Sequence, residues 1–176
     1  MPDWNLIVAE HGTAVWRCVY RLLGDEHLAR DCYQETFLAA MRARGGEPVK
    51  NWSAMLRAIA TRKALDVLRA RCRERQRSDP STSPDWLASR NGHAPGAAAE
   101  AEQLRHAIRQ ALARISPRQA EAFAMRHFEE MNDGEIADRM NTSARNVQVL
   151  VHRAAAKLRD ELPDWVHEDA LPGVTP

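Results

Sequence analysis

Two stretches of this sequence concentrate positive charge on segments with helical periodicity. From Arg57 to Arg77, eight basic residues stand against two acids, a net of +6 in a chain that carries only +1 overall. From Asn141 to Arg159 there are four basic residues and no acid. Two separated basic helices in a near-neutral protein suit two contacts with a polyanion. In the first stretch, Arg62, Asp66, Arg69 and Arg73 recur at spacings of four, three and four, which puts them on one stripe of a helix. A cationic stripe on a helix that also carries Trp52 fits a distorted or single-stranded backbone, although Trp52 itself reads as core. In the second stretch, Arg145, Asn146, Gln148, Val149, His152 and Arg153 fall on the early exposed face of a helix. Arg, Asn and Gln pair with base edges or phosphates, and Val149 can touch a thymine methyl. A third polar row, Asp31, Gln34, Glu35 and Leu38, ends in an apolar residue and on composition alone reads as a solvated face.

The remaining chemistry is sparse. The sequence contains no H-E-x-x-H, no glycine-rich phosphate loop and no Ser/His/Asp constellation in a credible context, so no catalytic residue, cofactor or metal ligand is expected. Cys18, Cys32 and Cys72 are odd in number, distant and in no C-x-x-C pair, which points to free thiols. No apolar run approaches the roughly 18 residues of a membrane span, and the start of the chain lacks a signal-peptide pattern. The expectation is a cytoplasmic protein without membrane insertion.

The elements that must position these residues are all helical. Trp4, Ile7, Val8, His11, Val15, Cys18, Val19 and Leu22 define the apolar stripe of a first helix, stopped by Gly24. Asp25 caps a second, whose stripe is Ala29, Cys32, Tyr33, Thr36, Phe37, Ala40 and Met41. A third starts near Asn51, runs past Cys72 and buries Trp52, Met55, Leu56, Ile59, Val67 and Leu68. Prolines, glycines and serines between Ser78 and Gly96 cannot sustain a helix or a core.

Past that break, Leu104, Ala107, Ile108, Ala111 and Leu112 mark a fourth helix. Ser116-Pro117 reads as an N-cap and first turn. Asn132 to Glu135 looks like a capping box, Asn141 like a left-handed turn, and Thr142 or Ser143 like the cap of the last helix. The pair around Asn141 forms a helix-turn-helix. The expected fold is all-α, with a first domain at 1–77, a linker at 78–96, a second domain at 97–162 and an acidic tail at 163–176.

Motifs in both halves resemble one family. Tyr20-Arg21-Leu22-Leu23-Gly24-Asp25 and Asp31-Cys32-Tyr33-Gln34-Glu35-Thr36-Phe37 resemble the first conserved domain of extracytoplasmic-function (ECF) sigma factors. Trp52 through Asp66-Val67-Leu68-Arg69 resembles its promoter-melting helix. Ile115 to Gln119, Glu135-Ile136-Ala137, Val147 and His152-Arg153-Ala154 resemble the second domain.

The resemblance implies that Asp31, Gln34, Glu35 and Leu38 dock on the clamp helices of the largest subunit of core RNA polymerase. It implies that the loop from Gly45 to Lys50, together with Asn51, Arg62, Lys63, Asp66, Arg69 and Arg73, recognises and opens the minus-ten element, with one base flipped from the non-template strand. The helix from Ser143 would read the minus-thirty-five element as duplex. The linker would thread the RNA-exit path, the second domain would meet the flap region, and an anti-sigma factor would be a partner. The sequence departs from the family pattern at Thr61-Arg62, where Arg-Asn is usual, at Gln148-Val149-Leu150, where Lys-Ser-Arg is usual, and at Asn141, which replaces a glycine. The alternative is a stand-alone helix-turn-helix regulator, which would bind duplex DNA without polymerase.

Overall fold

The computed structural model describes residues 2–43, 49–78 and 97–162, and those residues form seven helices and no strand. They are α1 (Trp4–Leu23), α2 (Glu26–Ala43), α3 (Trp52–Ser78), α4 (Ala97–Arg114), α5 (Pro117–His127), α6 (Asp133–Met140) and α7 (Ala144–Glu161). The expected loop tip from Gly45 to Pro48, most of the linker and the acidic tail lie outside the described residues. The helix α3 runs one residue past the expected boundary, to Ser78.

Local chemistry sets the helix ends. The Asp3 carboxylate accepts the Asn5 and Leu6 amides at 2.9 and 3.3 Å and opens α1. Gly24 closes it at φ +65°, with its N–H donating to the Tyr20 carbonyl at 2.8 Å. Asp25 accepts the Leu28 amide at 3.0 Å, and Asn51 accepts the Ala54 amide at 2.9 Å, opening α2 and α3. The backbone bond to Leu28 is the main reason the Asp25 carboxyl sits below its ordinary range. Asn132 and Glu135 make the full capping box of α6, and Asn141 turns the chain at φ 49°. Ser143, not Thr142, caps α7 by accepting the Asn146 amide at 3.2 Å. Ser116 sits at the N-cap of α5 but makes no side-chain capping bond; its carbonyl accepts the Ala120 amide at 2.9 Å instead.

The expected stripes are largely buried, with two exceptions. Val8 and Met41 are 38% and 48% exposed, because each lies at the edge of its stripe where no other helix covers it. The larger departure concerns α3. Besides Leu56 and Leu68, it buries Ala54, Ala58, Ala60, Thr61, Ala64 and Leu65. These residues wrap around the helix because the second half of the chain packs onto α3 as well as the first. One hydrophobic cluster runs from Val15, Leu22 and Phe37 through Leu56 and Leu65 to Leu112, Phe123 and Leu158. Full burial of each such side chain stabilises by about 1.5–3 kcal/mol. A smaller cluster joins Ala54 and Ala58 of α3 to Met125, Met131, Ile136 and Val147. The two halves are therefore continuous in packing, not independent.

Polar contacts reinforce this junction. Arg21 donates to the Phe128 carbonyl and Arg57 to the Glu129 carbonyl. Arg109 of α4 donates from Nε to the Arg21 carbonyl at 3.1 Å, and its guanidinium lies over Gly24, leaving no space there for a Cβ. Among the described residues, no helix is long and apolar enough to cross a membrane.

Candidate nucleic-acid interface

The helix-turn-helix is built from α6 and α7. Ile136, Ala137 and Met140 are buried on the inner side of α6, and Val147 of α7 is fully buried in the same small cluster. This packing sets the direction of α7 and turns its opposite face outward. All six residues read from the sequence as contacts, Arg145, Asn146, Gln148, Val149, His152 and Arg153, are exposed. The first turn of α7 has no acid. Asn146 donates to the Thr142 hydroxyl at 2.8 Å, and Gln148 donates to the Asp133 carboxylate at 3.0 Å. The face is thus basic, solvent-facing and convex, as entry into a major groove requires.

The stripe on α3 is in a different state. Arg73 and Asp66 are exposed, but the Arg62 guanidinium bonds Glu121 of α5 and the Arg139 carbonyl of α6. The Arg69 side chain is only 11% exposed; it pairs with Asp66 at 3.4 Å and donates to the Pro117 carbonyl at 3.4 Å. The expectation of an open cationic face on α3 is therefore corrected at Arg69, while Arg62 is exposed as expected but bonded. Both are engaged by the second half of the chain, which packs against them. Lys63 is half-buried and pairs with Glu35 of α2 at 3.3 Å. Lys50 and Asn51 are exposed at the start of α3, Asn51 doubling as its cap. Trp52 is half-buried and packs edge-on against Trp4, with ring centroids 5.3 Å apart. That is the core role expected of it.

On α2, Asp31, Gln34, Glu35 and Leu38 are all exposed, and Leu38 is joined by exposed Met41 at the apolar end of the row. The Glu35–Lys63 pair ties this row to α3.

Neither Cys18 nor Cys32 is an activated thiol. Burial pushes Cys18 well above its usual value, with the Glu129 charge adding to the effect, and burial takes Cys32 to about 11. All three are free.

Three functional candidates escaped the sequence reading. Glu121 holds Arg62. Asp133 holds Gln148. Glu129, 7% exposed, stands beside Cys18 with its Oε1 unpartnered, and burial raises its carboxyl above the ordinary range. Each sits in another element from its partner, so no local spacing announces it.

Comparisons with known proteins agree with this geometry. Residues 7–74 match the family model "Sigma-70 region 2", and residues 105–158 match "Sigma-70, region 4". The chain is 29% identical to the ECF RNA polymerase sigma factor SigE of Mycolicibacterium smegmatis, over 97% of this chain but 65% of that protein. It is 30% identical to the RNA polymerase sigma factor CarQ of Myxococcus xanthus, over 89% of this chain and 87% of CarQ. The fold is similar to that of the sigma factor RpoE of Bartonella quintana, solved with the anti-sigma factor NepR. There the TM-score is 0.54 at 19% identity, covering 92% of this chain and 97% of that one.

Proposed function

Because the chain belongs to the extracytoplasmic-function sigma factors of bacterial RNA polymerase, we propose that it binds core polymerase and directs it to specific promoters for transcription initiation. The observation that carries this reading is the presence of two different nucleic-acid faces in one chain. The α7 face, free and braced by α6, suits duplex readout. The α3 stripe suits an opened strand. A stand-alone regulator of duplex DNA has no use for the second.

In this reading Asp31, Gln34, Glu35 and Leu38 dock on the clamp helices of the largest polymerase subunit, all four being solvent-facing. Arg145, Asn146, Gln148, Val149, His152 and Arg153 contact the minus-thirty-five element. Lys50, Asn51, Arg62, Lys63, Asp66, Arg69 and Arg73 serve the minus-ten element and its melting. Since Arg62 and Arg69 are bonded to the second domain, the two domains must part before these side chains hold DNA. Domain limits at 1–77 and 97–162 follow from the same division. A relative of similar fold was solved with an anti-sigma factor, and an anti-sigma partner that holds the domains together fits a chain in which Arg62 and Arg69 are bonded to the second half.

Run-off transcription with purified core polymerase tests the proposal. The full chain should support initiation on its own promoters. Asp31→Arg with Glu35→Arg should abolish core binding in a pull-down while the helical circular dichroism is kept. Transcription-independent binding to duplex DNA alone, with no capture of core enzyme, would replace this reading with the repressor alternative.

A further inference from the structure

Gln148 does not stand free on the reading face. Its Nε2 donates to Oδ2 of Asp133, the first residue of α6, at 3.0 Å. Oδ1 of the same carboxylate lies 3.0 Å from Nη2 of Arg126 on α5, close enough for an ion pair though off the hydrogen-bonding angle. The Asp133 side chain is 19% exposed and Gln148 is exposed, so the row runs outward from α5 through α6 to the surface of α7. We propose that Asp133, held by Arg126, is a specificity-determining positioning residue that fixes the amide of Gln148 for one class of base. The proposal rests on α7 being the duplex reader.

The chemistry follows from what each group can do. An ionised carboxylate only accepts hydrogen bonds, so the amide must turn its nitrogen toward Asp133. Its Oε1 then faces away as an acceptor, and one N–H remains beside it. The neighbouring Asn146 is a useful contrast. Its partner is the Thr142 hydroxyl, which can donate or accept, so either end of that amide could face out. An outward acceptor needs a base with an amino group in the major groove. Adenine offers the N6 amino group next to the N7 acceptor and satisfies both Oε1 and the remaining N–H. Cytosine offers only the N4 amino group, and thymine and guanine present acceptors where Oε1 would point. Gln148 should therefore select adenine at one position. The Arg126 charge offsets that of Asp133, which would otherwise repel nearby phosphates.

The test uses the full chain with core polymerase and a promoter library randomised across the upstream element, read by sequencing the bound fraction. The wild-type protein should enrich adenine at one position. Gln148→Ala should flatten that position alone. Asp133→Ala should weaken the same preference by roughly 2- to 10-fold, the value of ordering one side chain beforehand. It should have no further effect in the Gln148→Ala background. Asp133→Asn, nearly isosteric and fit for the same helix start, can donate as well as accept. It should let the amide flip, admitting thymine or guanine at that position while thermal unfolding and core binding stay unchanged. A profile unchanged by Gln148→Ala would remove the base-reading role of this face. A profile flattened by Gln148→Ala but intact in both Asp133 variants would overturn the positioning role and leave the reading face in place.

Discussion

On α7, the side chains proposed to meet DNA are exposed, and among the described residues the groups that bond two of them, Thr142 and Asp133, belong to the same helix-turn-helix. On α3, the proposed DNA contacts Arg62 and Arg69 are bonded across the junction to Glu121, Arg139 and Pro117. Both helices are basic, yet one face is preformed and available and the other is in use as glue between domains. The difference matches the tasks proposed for them. Duplex is present before polymerase arrives, whereas a separated strand exists only after opening begins. A face needed late can be occupied early, provided that binding polymerase and DNA offsets its release: the polar contacts are worth only about 0–1 kcal/mol each, but the apolar cluster shared by the two halves must open as well.

The most damaging way to probe this contrast is to reverse the α3 stripe. Arg62→Glu with Arg69→Glu removes charge-assisted contacts worth about 1.5–3 kcal/mol each in the opened complex. Strand opening should fall by a hundredfold or more, with core binding and the closed complex spared. Permanganate reactivity of unpaired thymines near the start site measures it. The milder Arg→Ala pair should regain part of its activity on a pre-melted bubble. Equal losses on duplex and bubble templates would mean that α3 acts on duplex, as α7 does.

A smaller effect separates two roles within α7. Arg145→Ala should lose about 1–3 kcal/mol on preferred upstream elements and little on others. Arg153→Ala should weaken all sequences alike and lower the salt slope of binding by about 0.9. Identical, sequence-blind losses in titrations across salt concentrations would reduce the whole face to phosphate binding.

The smallest concerns the junction itself. Glu129 of the second domain is buried against Cys18 of α1, with Arg21 and Arg57 lowering and Glu130 raising its carboxyl, and burial outweighs them so that the net shift is upward. A carboxyl raised by folding leaves stability intact at pH values below its ordinary range. That stability is lost as the pH rises through the raised value, where the buried charge forms. Glu129→Gln should therefore gain about 1 kcal/mol at pH 7.5, where an imperfectly partnered charge is relieved. It should gain nothing near pH 4, as thermal melts across that window would show. A gain that persists at pH 4 would exclude titration as the cause.

What the sequence disclosed and what it hid divide along the range of the interactions. Gly24, Asp25, Asn51, the Asn132–Glu135 box and Asn141 act within four residues of themselves, and each stands where the spacing put it. The exposed faces of α2 and α7 were legible because they are the complements of apolar stripes. The second buried face of α3 was not. It is made largely of alanines, which stand out in no hydropathy pattern, and what packs on Ala54 and Ala58 lies beyond the linker in sequence, whereas Thr61 faces Cys18 of α1. Arg69, only 11% exposed, was read as solvent-facing for the same reason. A helix that serves as a common wall for two domains keeps only a narrow polar side, here Asp66 and Arg73, so periodicity alone does not mark where that side ends.

Gly24 shows how narrow that wall's margin is at one corner. The Arg109 guanidinium of α4 rests against the α1–α2 turn where a Cβ would have to stand. The backbone there is already at φ +65°, a conformation that other residues rarely hold. A side chain at position 24 would have to displace the Arg109 guanidinium, the far end of a flexible side chain, and would also have to hold the left-handed backbone. The loss would fall on the turn between α1 and α2 and on the bonds that Arg109 makes to the Arg21 carbonyl and Glu102, a latch between the halves rather than their spacing.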